Sequence, residues 1–170
     1  MGCLVIYLLG VITMATFTNT ADLKVKNLAL YGKACQSSLV ENPYAPLGHP
    51  SNAIDGNTDA NFERGSCSHT ASQQNPWWRV DLLEEYTITS ITITNRDYLS
   101  ERLNGAKIHV GNCITNNGFD NPQVGLISSI PAGTSQTFQF NQRVSGRYVV
   151  VTIPVANRYL TLCEVEVYGY

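Results

Sequence analysis

Charge is what this chain has least of. Only 14% of its 170 residues are Asp, Glu, Lys or Arg, against about 25% in an average soluble domain, and the formal net charge is −2. That balance leaves no electrostatic footprint for nucleic acid. Disorder is excluded too, because 44% of the residues are hydrophobic. No stretch sustains a helical period, and no Asn-x-Ser/Thr sequon occurs. Catalytic signatures are equally missing: there is no G-x-S-x-G or HExxH, His49, His69 and His109 are scattered, and Glu84 and Glu85 are adjacent in sequence, where a glycosidase pair would not be. The expectation is a binding protein, not an enzyme.

What replaces charge is neutral hydrogen-bonding capacity, with fifteen Thr and fifteen Asn. Thr favours strands and Asn favours turns, which suits an extracellular β-protein. The length corresponds to one domain. The apolar, uncharged run Cys3 to Phe17 is shorter than the ~20 residues a membrane-spanning helix needs, so residues 1–20 read as a secretory signal, cleaved between about Thr18 and Ala21, and 21–170 as the mature domain. No membrane span is expected. Removing the signal takes Cys3 with it and leaves Cys35, Cys67, Cys113 and Cys163, an even number in an oxidising compartment. Two disulfides are the default, and spacing leaves three connectivities open.

Short alternating segments bounded by Gly, Pro, Asn and Ser mark strands at Trp77 to Leu82, Thr87 to Thr94, Lys107 to Val110, Thr137 to Phe140, Tyr148 to Ile153 and Cys163 to Tyr168. In the second of these the two-residue period slips near Ser90, which predicts a β-bulge. In the last, Cys163, Val165 and Val167 alternate with Glu164 and Glu166, as in a strand with one buried face. Many short strands separated by turns predict an all-β sandwich or jelly roll.

Three loop segments carry candidate chemistry. Ser51 to Phe62 places Asn52, Asp55, Asn57 and Asp59 around Gly56, either a set of oxygens for a hard cation such as Ca²⁺ or a solvated Asx-rich turn. Asn75 to Leu82 opens a strand with Trp77 and Trp78 pointing to opposite faces, one into the core and one nearer the surface, where it could pack or stack on a sugar. Asn95 to Arg102 gathers Arg96, Asp97, Tyr98 and Arg102. That is either a polar pocket with an aromatic wall, as sugar sites are built, or a surface salt bridge from Arg102 to Glu101 or Asp97.

Taken in order, SNAIDGNTDANF, GSCSH, NPWWRVDL, the isoleucine strand and LCEVEVYG resemble the F-type lectins, or fucolectins, from about Asn27 to Tyr168. The resemblance implies the jelly-roll sandwich of the coagulation-factor type C (discoidin) domains, binding of terminal α-L-fucose, and a structural calcium ion. The family motif is His, twenty-six residues, Arg, one residue, Asp, four residues, then Arg or Lys. Here His69, Arg96, Asp97 and Arg102 match it, with the residue between Arg96 and Asp97 absent and the loop one residue shorter. By that match His69, Arg96 and Arg102 read the sugar. Tyr98 and Leu99 replace an adjacent cysteine pair of some members and would wall the ring, with Phe62 facing the sugar methyl.

Family calcium ligands fall on Asn52, Asp55, Asn57, Ser66, Cys163 and Glu164. A Cys67–Cys163 disulfide is likewise implied, and elimination then pairs Cys35 with Cys113. The expected protein is a secreted, calcium-dependent lectin for fucosylated glycans on microbial or self surfaces, with homotrimers known among relatives. The alternative is a discoidin-like adhesion module that binds protein or phospholipid through exposed apolar loops.

Overall fold

The computed structural model describes residues 24–170; the signal segment and Cys3 lie outside them. Nine strands follow in chain order: β1 (Lys26–Asn27), β2 (Lys33–Gln36), β3 (Ser68–His69), β4 (Trp77–Thr94), β5 (Lys107–Gly111), β6 (Gln123–Leu126), β7 (Ser135–Thr152), β8 (Thr161–Leu162) and β9 (Glu164–Gly169). All pairings are antiparallel. The order is β1-β9-β4-β7-β5-β6, with β2 on the first half of β4 and β3–β8 as a separate two-stranded sheet. This is the expected all-β jelly-roll sandwich in a single domain.

Two of the predicted strand pairs are fused. Trp77 to Leu82 and Thr87 to Thr94 are one strand of 18 residues, as are Thr137 to Phe140 and Tyr148 to Thr152, with Ile153 just past its end. Strands that bend at bulges can pass from one layer of a sandwich to the other. In β4, residues 82–85 bulge opposite Arg147 alone, with Leu83 at φ 74° and its N–H donating to Asp81 Oδ1. The predicted slip near Ser90 is a second register shift, between Ile88 and Ser90. It explains why Trp78, Val80, Leu82 and Ile88 face the core before it while Ile91 and Ile93 do so after it.

The core holds those residues together with Ile108, Val149, Val151, Ile153, Val165 and Val167. Trp78 is fully buried, its indole donating to Pro50 O at 2.9 Å, whereas half-buried Trp77 lies 5.1 Å from the Arg79 guanidinium. Both tryptophans therefore pack. A second apolar cluster of Val40, Phe62, Cys67 and Cys163 sits apart from the core.

Cys67 and Cys163 form a disulfide, as the resemblance implies. Cys35 and Cys113 do not pair; both are free. The register gives the reason, since Cys35 on β2 lies beside Arg79, which lies beside Val150, which lies beside His109. Three inter-strand steps of ~4.8 Å place β2 about 14 Å from β5, and Cys113 lies beyond the end of β5. A disulfide bridges Cα atoms less than ~7 Å apart. Alkylation of the native protein followed by intact-mass measurement is expected to label two thiols before reduction and four after; protection of Cys35 and Cys113 would contradict this register.

Candidate functional site

The long segment 37–67, the 95–102 loop and the chain before β8 converge on a cavity of about 410 Å³. Of the sugar-site candidates from the sequence, His69, Phe62, Arg96, Tyr98, Leu99 and Arg102 line it and Asp97 does not. Asp97 is exposed and fixes the loop through its backbone N–H to Ala60 O at 3.0 Å. Val40, Glu41, Asn42, Tyr44, Glu63 and Tyr159 complete the lining, all residues the sequence did not single out. Tyr159 comes from a loop ninety residues after His69, with no motif to announce it.

His69 is buried on β3, and its backbone is held on both sides, N–H donating to Gly48 O and C=O accepting from Val40 N–H. Nδ1 lies 2.8 Å from the Thr70 carbonyl, so Nδ1–H donates there and Nε2 carries the lone pair. Burial pushes its pKa down to about 4, against the pull of the Thr70 bond, and Arg96 and Arg102 push the same way as burial. The ring is therefore a neutral acceptor at physiological pH, facing Arg102 Nη1 at 3.4 Å.

Arg96 is buried yet has no carboxylate partner; its guanidinium lies 5.2 Å from the Phe62 ring centroid and its Nε makes no hydrogen bond. Burial and then Arg102 lower its pKa from the usual arginine range. Arg102 lies 4.4 Å from the Tyr159 centroid. Neither of the salt bridges open to Arg102 in the sequence forms: the ion pairs among the described residues are Arg64–Asp59 and Arg147–Asp81.

Local structure explains the aim of each group. Phe62 begins a 3-10 turn, Phe62–Arg64, capped by Asn61 Oδ1 accepting from Glu63 N–H and closed by Gly65 at φ 75°, a left-handed position that favours glycine. The 95–102 loop is organised by Asn95, whose amide donates to Ser100 O and Ile130 O and whose Oδ1 accepts the Arg96 N–H. Leu99 takes the left-handed conformation at φ 56°, leaving Tyr98 67% exposed at the rim.

The Asx-rich segment forms a ladder in which Asp55, Asn57, Asp59 and Asn61 each accept the backbone N–H two residues on. Glu164 lies against it, fully buried, contrary to the outward face the strand alternation assigned it. Its Oε1 accepts from Gly56 N–H at 3.1 Å and its Oε2 has no partner. Burial raises its pKa to about 8, with Asp55 adding to the rise. Asn52 donates to Leu47 O and Cys67 O, and Ser66 Oγ to Asn61 O. Among the described residues no three His, Cys, Asp or Glu converge as a metal cluster, so a cation here would rely on two carboxylates, Asp55 and Glu164, and on neutral oxygens. An orphaned carboxylate oxygen beside oxygen-rich loop residues fits a hard cation.

A family model described as a NedA-like, galactose-binding domain of the F5/F8 type C group matches residues 52–151. The chain is 52% identical over 143 residues to Fucolectin-4 of Anguilla japonica, covering 84% of this chain and 79% of the relative. A crystal structure of an f-lectin (fucolectin) from striped bass (Morone saxatilis) serum superposes with a TM-score of 0.83 at 59% identity, covering 86% of this chain. This chain spans half the length of the bass protein. A fucose binding module of Streptococcus pneumoniae superposes with a TM-score of 0.70 at 26% identity, covering 85% of this chain and 98% of the module.

Proposed function

The chain belongs to the fucolectin family, and from that membership we propose that it is a lectin that binds terminal α-L-fucose in the cavity between His69, Arg96 and Arg102. One observation carries the reading: a buried guanidinium, Arg96, with no protein acceptor for its Nε and a second arginine beside it. Buried polar groups are ordinarily hydrogen-bonded, so such a pair calls for acceptors from a ligand. A ligand with an apolar part and hydroxyls suits the rest of the lining, in which Phe62, Tyr98 and Leu99 give apolar surface and Glu41, Asn42 and Glu63 give polar groups. A deoxy sugar meets both demands: ring and hydroxyl oxygens accept from Arg96 and Arg102, one hydroxyl donates to His69 Nε2, and the methyl group packs on Phe62.

The proposal includes a calcium ion held by Asp55 and Glu164 with oxygens of Asn52, Asn57, Ser66 and Cys163. Its charge would neutralise the buried Glu164 and stiffen the loop that carries Phe62. It also includes secretion through residues 1–20 and recognition of microbial or self glycoconjugates outside the cell. Weak single-site affinity would be multiplied by assembly into homotrimers or by clustered ligands.

Glycan-array binding is expected to be restricted to fucosylated structures and abolished by free L-fucose; binding indifferent to fucose, or transfer to liposomes instead, would overturn the reading. The protonation state of His69 gives a second test. Its pKa is lowered to about 4, so Nε2 stays an acceptor from neutrality down to about pH 5, and fucose affinity is expected to fall roughly tenfold by one unit below that pKa. Titration in saturating calcium checks this, and a break near the ordinary histidine value of about 6.5 would contradict it.

A further inference from the structure

The sugar cavity has a neighbour. A second concavity of about 440 Å³ is lined by Glu101, Arg102, Asn104, Asn157, Arg158 and Tyr159, so it shares Arg102 and Tyr159 with the first. The Arg102 guanidinium stacked over the Tyr159 ring forms the ridge between them.

The floor of this second cavity is built from main chain and is held rigidly. Arg158 Nη2 donates to the carbonyls of Glu101, Arg102 and Asn104 at 3.2, 3.1 and 3.4 Å, tying the turn Ser100–Leu103 to the chain before β8. Arg158 is itself pinned by paired backbone bonds with Gln73. Its Nη2 is thus committed to the protein. The side-chain amides of Asn104 and Asn157, by contrast, make no hydrogen bond among the described residues, although each offers two donors and an acceptor. Asn157 is presented on a left-handed residue, φ 56°, in an exposed loop. The ionic groups of the cavity are Arg102, Arg158 and the Glu101 carboxylate, none of which forms an ion pair among the described residues.

Free amides over a rigid floor of main-chain carbonyls are suited to hydroxyl groups. On the other side, the first cavity opens onto the carboxylates Glu41 and Glu63 with a single amide, Asn42. We propose that the second cavity is a subsite for the neutral pyranose next to the terminal fucose, bound by Asn104 and Asn157 after the glycan crosses the Arg102–Tyr159 ridge. This rests on the fucose reading and deepens it: the protein recognises a fucosylated oligosaccharide over two adjoining sites.

The test is calorimetric titration of the calcium-loaded chain with methyl α-L-fucoside and with neutral fucosylated trisaccharides of differing linkage. The wild type is compared with the double variant Asn104→Ala, Asn157→Gly. Glycine suits the positive φ at 157 while removing the amide. Two neutral hydrogen bonds correspond to roughly tenfold in affinity. The wild type is expected to bind its best trisaccharide about tenfold more tightly than the monosaccharide. The double variant is expected to bind the monosaccharide like the wild type, with an unchanged thermal midpoint, and to lose most of the trisaccharide preference. A preference kept in full by the double variant, or absent from the wild type, overturns the subsite while leaving fucose binding intact. Failure of the wild type to bind methyl α-L-fucoside overturns the underlying reading and the subsite with it.

Discussion

Replacing Arg96 with methionine is expected to abolish fucose binding, weakening it by at least about a hundredfold, while leaving the protein as stable as before or more so. The two effects come from one arrangement. Arg96 is buried, has no carboxylate partner, leaves Nε unpaired and faces a second guanidinium at Arg102. In the free protein it therefore bears desolvation and repulsion, offset by the Phe62 ring and by the longer-range attraction of Asp97, Glu63 and Glu101. A methionine of similar length keeps the contact with Phe62 and removes both costs. In the complex the same guanidinium would supply charge-assisted hydrogen bonds, each contributing roughly 1.5–3 kcal/mol, so losing two costs about a hundredfold or more. A residue whose removal helps the fold and destroys binding is there for the ligand. Affinity and thermal midpoint measured on the same preparation check the prediction; a midpoint that falls together with binding would mark Arg96 as structural.

Calcium removal is expected to have the largest effect on stability. Glu164 carries a buried carboxylate with one oxygen unpaired, and burial raises its pKa to about 8. For a carboxyl group with a raised folded pKa, stability is highest below the unfolded value of about 4.3 and declines as pH rises toward 8. At neutral pH the ion-free fold must therefore keep Glu164 protonated or bear its charge. A cation bound to Asp55 and Glu164 removes that penalty. At a hundred times its dissociation constant such a ligand contributes about 2.7 kcal/mol, equivalent to about 5–10 °C in the thermal midpoint of a domain this size. Chelation at neutral pH is expected to lower the midpoint by that amount, and Glu164→Gln to make it indifferent to chelation. A midpoint unmoved by chelation in the wild type would remove the metal from the proposal.

The sequence made the strands easier to find than their continuity. Alternation at Trp77 to Leu82 comes from one buried face, and Tyr148 to Ile153 is a short run buried on both faces; both signals are local. The slip at Ser90 was legible for the same reason. The stretches joining the paired strands, Glu84-Glu85 and Asn141 to Ser145, are polar like turns, yet they continue β4 and β7 as a bulged bend, which depends on two distant strands bending together. Glu164 illustrates the limit of periodicity: alternation turned it outward, whereas the Gly56 N–H, 108 residues away, draws it inward. Cys35 and Cys113 illustrate the limit of counting, because an even number of thiols says nothing about three strand spacings between them.

The candidate site was legible where it followed a motif. His69, Arg96 and Arg102 share a cavity despite the shortened loop, in which Asn95 bonds Arg96 N–H, Ser100 O and Ile130 O. Asp97, inside the motif, turned out to hold the loop by its backbone. Tyr159, outside it, contacts both His69 and Arg102, with ring centroids 5.5 Å apart in the first case. The tautomer of His69 was also out of reach of sequence, because it is set by the carbonyl of the next residue, Thr70.

A co-crystal structure of the calcium-loaded protein with methyl α-L-fucoside tests the proposed function most directly. The predicted result is one sugar in the cavity, accepting from Arg96 Nε and Arg102, donating a hydroxyl to His69 Nε2 and resting its methyl on Phe62. Sugar bound elsewhere on the sandwich, or a cavity in which Arg96 Nε still lacks an acceptor, would contradict it.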